Sequence, residues 1–326
     1  MVDVVTVTEA EDGVRLDRWL KKKYPDMTFG NLQKILRTGQ LRVDGKRAKG
    51  DARLSAGQEV RIPPQMTPVT TPDGRRALSA KDVDFIKSLV IYQDKDIIAL
   101  NKPAGLATQG GTKINRHVDG LLDGLADRDG LRPHLVHRLD KDTSGVLLLA
   151  RHPKAARALG DLFRGREMRK YYWAITVPAP MEMEGRIKTV MAKVDGPGGE
   201  KMRGVADDRG KIAITDYHVM EMAFRKLAWV AFWPRTGRMH QIRVHALDMG
   251  CPLLGDYKYA PDQPLFEDLP ELPEMLHLHA RRLIFPHPMT GKKIDITAPL
   301  DSEMRKTWKF FNFNPDDKSD PFADID

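Results

Sequence analysis

The chain has 326 residues, enough for about two domains of ordinary size, and its 41% hydrophobic content excludes wholesale disorder. No apolar run approaches the roughly 20 residues of a bilayer span, and the single cysteine, Cys251, excludes an internal disulfide, a cysteine-caged zinc and a cysteine-ligated iron–sulfur cluster. The net charge of +8 is concentrated in one block: 13 Lys and Arg face 5 Asp and Glu between Gly13 and Pro63, while the other 275 residues are neutral in sum.

The opening MVDVVTVTEA lacks the basic start and apolar middle of a signal peptide, so a cytoplasmic protein without a membrane partner is expected. Leu16, Trp19, Leu20 and Tyr24 fall at helical spacing, with Arg18, Lys21, Lys22 and Lys23 between them. A second helix is predicted over Phe29–Thr38, capped by Thr28, striped by Phe29, Leu32, Ile35 and Leu36, and ended by Gly39. The run from Leu41 to Arg47 alternates around Asp44-Gly45, a hairpin signal, and a last strand at Glu59–Ile62 stops at Pro63-Pro64. An αα-hairpin followed by a small hairpin, with a cationic rim, makes residues 1–64 a candidate polyanion-binding unit. Its candidate contacts are Arg15, Arg18, Lys21, Lys22, Lys34, Arg37, Arg42, Lys46 and Arg47.

Residues 65–82, rich in Pro, Thr and Gly, read as a linker. Over residues 83–313 the pattern is mixed. Strands are predicted at Asp96–Leu100, Val146–Ala150, Tyr171–Val177 and Ala228–Trp233, and helices at Pro153–Phe163 and Met239–Met249. Strands outnumber helices without alternating strictly with them, so the expected class is α+β. Asp195–Gly210 reads as a mobile loop. Residues 314–326, with 5 Asp and 1 Lys, read as an acidic, disordered tail.

Three segments could carry chemistry. His134–Gly145 sets His137, Arg138, Asp140, Asp142, Thr143 and Ser144 on the lip of the strand Val146–Ala150. Zinc ligation by His134 and His137 lacks a third ligand nearby, and no metal is assigned. Asp140-Lys141-Asp142 has the spacing of the nucleophile pair in aspartate-dependent phosphatases, but there the apolar strand precedes the motif and here it follows. A purely structural turn is also open, since Asp142 to Gly145 are turn formers. Arg235–His245 carries three arginines and two histidines in eleven residues, a density that calls for anions nearby, either substrate phosphate or protein carboxylate. In Met168–Val177 strand alternation puts Tyr171, Trp173, Ile175 and Val177 on one apolar face, and Tyr172, Ala174 and Thr176 on the other, where Tyr172 could stack on a planar ligand or simply pack.

HRLDKDTSG, KYYWA and RTGRMHQIRVH, in this order, resemble the motifs of the RluA-type RNA pseudouridine synthases, and Asn101–Gly105 and Gly255–Tyr257 resemble further landmarks. Within that family the chain is most similar to the RluC-type enzymes of large-subunit ribosomal RNA. The front block, in RLDRWL, LQKILRTGQLRVDGKR and GQEVRIPP, resembles the S4 RNA-binding domain. The resemblance implies a mixed, mainly antiparallel sheet crossed by a cleft, and isomerisation of uridine to pseudouridine without a cofactor. It implies that Asp140 is the essential aspartate, acting on the base or the ribose. Tyr172 then packs on the target base, and Arg243 pairs with the aspartate and keeps it charged. Arg138 matches the residue that enters the vacated stack, and His137, Arg238, His240 and Ile242 complete the expected substrate site. The implied partner is 23S-type ribosomal RNA or a large-subunit assembly intermediate, bound by a monomer.

Overall fold

Burying the stripe of Leu16, Trp19, Leu20 and Tyr24 is what makes helix α1 (Leu16–Lys23). Helix α2 (Phe29–Thr38) adds Leu32 and Ile35 to the same core, and Gly39, at φ +69°, ends it. The computed structural model describes residues 3–24, 27, 29–63, 78–111, 114, 116–165, 167–195, 201–205, 210–224, 226–263, 269 and 271–325. The expected cap at Thr28 and most of the expected linker lie outside them. The chain falls into two units, Met1–Leu78 and Ser79–Asp326.

In the first unit, strands β1 (Asp3–Thr6), β2 (Arg42–Val43) and β3 (Glu59–Ile62) form an antiparallel sheet in the order β1-β3-β2. Val60 and Ile62 of β3 point into the core with Leu41, Val43 and Leu54. Asp44 and Gly45 both take positive φ, +48° and +73°, as a tight hairpin turn requires. The ladder differs from expectation: Val43 and Lys46 make only an isolated bridge, and β2 pairs with β3. Arg18, Lys21, Lys22, Lys34, Arg37, Lys46 and Arg47 are exposed. Arg15 is held by Asp17, and Arg42 by the Gly45 carbonyl.

The second unit opens with helix α3 (Ala80–Ser88), whose cap Ser79 accepts from the Asp82 amide at 3.2 Å. The linker expected to reach residue 82 therefore stops short of it. Next come β4 (Val90–Gln93), β5 (Ile97–Lys102), α4 (Val118–Leu121), β6 (His134–Leu135), β7 (Ser144–Ala150), α5 (Pro153–Arg164) and β8 (Arg169–Thr176). They are followed by β9 (Glu184–Val194), β10 (Lys201–Val205), β11 (Lys211–Ala223), β12 (Leu227–Pro234), α6 (Gln241–Asp248), β13 (Leu278–Pro286), β14 (Lys293–Thr297) and α7 (Ser302–Phe310). Among the described residues the sheet runs β10-β9-β11-β12-β8-β13-β7-β5-β4, with β14 on β13 and β6 on β7. The expected mixed, mainly antiparallel sheet is present. Its parallel pairing is β13 on β7, confined to His279 opposite Ser144 and Ala280 opposite Gly145.

That short splice positions everything else. Lys102, Gly145, Ala280, Tyr172 and Phe232 lie side by side on successive strands. Gly145, at φ +108°, faces the Ala280 backbone so closely that any Cβ would run into its carbonyl. The segment before Gly145 is thereby delivered beside Tyr172.

Each face of the sheet has its own cover. On one, Ile242 and Ala246 of α6 pack on Ala174, Val230 and Phe232. On the other, Tyr171, Trp173, Trp229 and Trp233 meet Trp308 of α7 with Phe311, Phe313 and Phe322. The alternation read in KYYWA is thus realised. Two expectations fail. The loop expected over 195–210 contains β10, which pairs with β9. The acidic segment after residue 313 is ordered against the sheet: Asp316 pairs with Arg305, Asp320 with Arg282 (3.3 Å), and Arg281 donates to the Asp317 carbonyl (3.0 Å). Phe322 is fully buried between the rings of Tyr171 and Trp233, at 5.2 and 5.7 Å.

Phe322→Ala is expected to lower the Tm by about 10 °C. Deleting a buried Phe ring costs about 3–5 kcal/mol, and a unit of this size shifts by about 2–4 °C per kcal/mol. Differential scanning calorimetry measures the shift.

Candidate active site

A cleft of about 700 Å³ opens on the α6 side of the sheet. It is lined by His137 to Asp140 from the loop before β7, Lys170 and Tyr172 from β8, and Thr236 to Arg243 from the turn into α6. The sequence-expected residues His137, Arg138, Asp140, Tyr172, Arg238, His240, Ile242 and Arg243 all meet here.

The Asp140 loop is clamped from below. Thr108 Oγ1 donates to the Leu139 carbonyl at 2.6 Å and accepts from the Leu139 amide at 3.2 Å. Buried Lys102 donates to the carbonyls of Pro103, Leu106 and Lys141 at 2.9, 2.8 and 3.0 Å. Burial pushes that ammonium down to about 7, against the pull of Asp142 and Asp140. Ser144 Oγ meets His279 Nδ1 at 2.8 Å, and Thr143 and Ser144 are buried. Asp140 itself is partly exposed to the cleft, whereas Asp142 is exposed and does not line it. The two carboxylates of the phosphatase-like reading are therefore not presented together.

The turn into α6 is held by Gln241, which accepts from Thr236 Oγ1 (2.7 Å) and the Arg238 amide (3.0 Å) and donates to the Ile214 carbonyl (2.9 Å). His240 sits at φ +54°, a left-handed position unusual for a side chain other than glycine. Its Nδ1 lies 2.7 Å from the Tyr259 hydroxyl, which also accepts from the Met202 amide at 3.3 Å. Nε2 lies 3.7 Å from Asp140 Oδ2. Burial lowers the His240 pKa, while Asp140 opposes the shift. Met202 lies on β10, within the segment expected to be a loop.

Arg243 departs from expectation. Its guanidinium makes a bidentate pair with Asp256, 2.8 and 2.5 Å, with both side chains buried, and lies 5.1 Å from the Tyr259 ring centre. It acts on Asp140 through its field and forms no direct ion pair with it; Asp256 and then Asp140 raise the Arg243 pKa against burial. The buried guanidinium needed bidentate compensation, and Asp256 of the Gly255–Tyr257 landmark supplies it. The rest of the dense Arg235–His245 run is resolved likewise. Arg235 pairs with Asp216 at 2.6 Å and stacks on Trp233, His245 lies between Thr215 and Thr189, and Arg238 Nε reaches the Ile212 carbonyl.

Tyr172 is half-buried, and burial followed by the Asp140 charge pushes its phenol well above the usual value. Its ring is therefore a neutral surface at ordinary pH. His137 Nε2 accepts from the Leu148 amide at 2.8 Å and its ring stacks on Phe163 at 4.2 Å. Burial, then Lys170, lowers it to about 3, so it is a fixed neutral wall. Arg138 is exposed. Sequence reading missed Lys170, Phe163 and Gln109 as lining residues. Lys170 was signalled by the strand period, two places before Tyr172; the other two reach the cleft only through the fold.

Among the described residues one cluster has metal-ligand composition, Asp94, Asp96 and His287, away from the cleft lining. His287 Nδ1 accepts from the Met289 and Thr290 amides, both at 3.2 Å. That leaves hydrogen on Nε2, which faces Asp94 at 3.1 Å and Asp96 at 3.6 Å. The cluster is a hydrogen-bonded network whose imidazole has no free lone pair for a metal.

The model of the RNA pseudouridylate synthase family matches residues 96–248, a span that includes the Asp140 loop, β8 and α6. A ribosomal large subunit pseudouridine synthase C of Rickettsia bellii is 38% identical over 293 residues, 88% of this chain and 95% of that one. Its counterpart in Salmonella typhimurium is 36% identical over 322 residues, covering 94% and 95%. The solved structure of human RNA pseudouridylate synthase domain containing 4 superposes with a TM-score of 0.61 at 30% identity, over 72% of this chain and 98% of that one. Likeness over nearly the full length of these relatives leaves one assignment: the chain belongs to the RNA pseudouridylate synthase family of isomerases.

Proposed function

We propose that the protein converts specific uridines of large-subunit ribosomal RNA, free or in an assembly intermediate, to pseudouridine, and that Asp140 is the group that acts on the extruded nucleotide. The observation that carries this reading is one cleft holding a partly exposed carboxylate, Asp140, beside a neutral aromatic ring, Tyr172. The names of the curated relatives support the choice of substrate.

The chemistry is redox-neutral. The N1–C1′ bond breaks, the uracil turns, C5 bonds to C1′, the C5 proton leaves to solvent and N1 is protonated. Asp140 serves as nucleophile toward the base or ribose, or as base toward the ribose. Extruding a stacked base costs a few kcal/mol, which stacking on Tyr172 and phosphate contacts offset. Arg243, fixed by Asp256, gives a standing positive field over Asp140, and His240 sets its Nε2 3.7 Å from Asp140 Oδ2. Ile242, Arg138 and Arg238 line the same cleft, the first offering apolar surface and the two arginines charge for phosphate or for the vacated stack. The first unit is read as an S4-like module whose exposed cations track the RNA backbone, in a cytoplasmic monomer.

Asp140→Asn is expected to reduce tritium release from [5-³H]uridine-labelled RNA by about 10²–10⁴-fold while sparing RNA binding. Release at the wild-type rate would remove Asp140 from the mechanism. Asp256→Asn leaves Arg243 as a buried, uncompensated charge, a change that costs about 3–5 kcal/mol. It should lower both the Tm and kcat/KM, measured by calorimetry and by the same release assay. Replacing Lys22, Lys34, Arg37 and Lys46 with Gln should flatten the salt dependence of RNA affinity, by about 0.7 in log–log slope for each phosphate of a single strand that is no longer neutralised. Fluorescence anisotropy across a salt series measures it; an unchanged slope would assign the electrostatics to the second unit.

A further inference from the structure

The cleft holds a cation that the proposed chemistry does not use. Lys170 shares the Tyr172 face of β8 by strand alternation, lines the same cleft and is half-buried. Among the described residues it has neither a hydrogen-bond nor an ion-pair partner. The other buried or half-buried basic groups of the region are matched: Lys102 by three carbonyls, Arg243 by Asp256 and Arg235 by Asp216. Holding an ammonium out of water without a partner is unfavourable, and burial alone depresses the Lys170 pKa. Such a residue is suited to an anion that arrives with the substrate.

Its place in the cleft narrows what that anion is. Lys170 shares a smaller recess with His137, Phe163 and Tyr172, whose lining does not include Asp140. Lys170 therefore belongs to the wall that His137 and Phe163 form beside Tyr172. That wall is neutral, because His137 accepts from the Leu148 amide and stacks on Phe163. Among the described residues no carboxylate competes there for the ammonium.

We infer that Lys170 is a backbone-phosphate seat of the cleft, taking the phosphodiester that flanks the extruded uridine so that the base is fixed over Tyr172. A phosphate suits a mobile ammonium on a flexible stem, which acts as a point charge and needs no fixed fork of donors. The inference rests on the proposed function, since it presumes that the cleft receives an RNA nucleotide. It assigns Lys170 to binding and leaves the bond changes to Asp140.

The test is RNA binding across a salt series, by fluorescence anisotropy, together with steady-state tritium release, for Lys170→Met and Lys170→Arg in the full chain. Lys170→Met is expected to weaken RNA binding about tenfold or more and to reduce the log–log salt slope by about 0.7. KM should rise while kcat stays within about twofold, and Lys170→Arg should restore affinity and slope. An unchanged slope and KM would overturn the seat, and so would a fall in kcat at unchanged KM, which would make Lys170 part of the chemistry. A loss in Lys170→Met that Lys170→Arg does not relieve would show a packing role and overturn it too. The binding readout needs no turnover, so absence of tritium release from the unaltered chain would sink the proposed function and leave the result on Lys170 separately legible.

Discussion

The splice between Gly145 and Ala280 is the constraint on which the site depends. Two antiparallel sets of strands are joined there by a parallel contact two residues long, and the join is close enough to exclude any side chain at position 145. A sheet normally spaces its strands by about 4.8 Å and gives each residue a fixed neighbour. Once Gly145 is opposite Ala280, and Ala280 opposite Tyr172, the chain entering β7 has to pass over the Tyr172 side of the sheet. Lys102, next to Gly145 on β5, then reaches up to the Lys141 carbonyl. The distance between the proposed reacting carboxylate and the proposed stacking ring is thus set by backbone register and not by side-chain choice.

The electrostatics follow a division between settled and open charge. Buried cations of the second unit that serve structure meet carboxylates or carbonyls in good geometry, as Arg243 does with Asp256 and Arg281 with the Ala298 carbonyl. Three cations that have no carboxylate partner among the described residues, Arg138, Lys170 and Arg238, line the cleft. Keeping the structural cations paired and the cleft cations open lets ligand binding and fold stability vary independently. The same division holds in the first unit, where Arg15 is tied to Asp17 while Lys34, Arg37 and Lys49 line one groove.

What the sequence disclosed and what it hid follow from the range of the forces involved. The helices of the first unit, the Asp44-Gly45 turn and the two faces of β8 were legible because they rest on local period and local φ preference. The gathering of Asp140, Tyr172 and the α6 turn was expected from the family motifs and is present. Hidden from sequence were pairings made across the fold. Arg243 was expected on Asp140, but a guanidinium is indifferent to sequence distance and Asp256 offers a better-buried, bidentate partner. The five aspartates after residue 313 carry the composition of a solvated tail. Three of them find partners on β13 and α7, Asp316 with Arg305, Asp320 with Arg282 and the Asp317 carbonyl with Arg281, and one aromatic ring, Phe322, is enough to anchor the segment. β10 escaped notice because glycines and charges surround it; its pairing with β9 supplies what composition withheld.

Strand β8 links the two faces of the sheet. Tyr171 and Trp173 are wedged among Trp229, Trp233, Trp308 and Phe322 on one side, while Lys170 and Tyr172 stand on the other. Aromatic packing of this density, with ring centres 4.6 to 6.3 Å apart, leaves the strand little freedom to shift. A ring meant to receive an extruded base gains from that stiffness, because a platform already in place loses no conformational entropy when the ligand arrives. On the proposed function, the tryptophans far from the cleft contribute to base capture by holding still the backbone that carries Tyr172. The acidic C-terminal segment belongs to the same device, since its one buried ring closes the aromatic layer directly behind that strand.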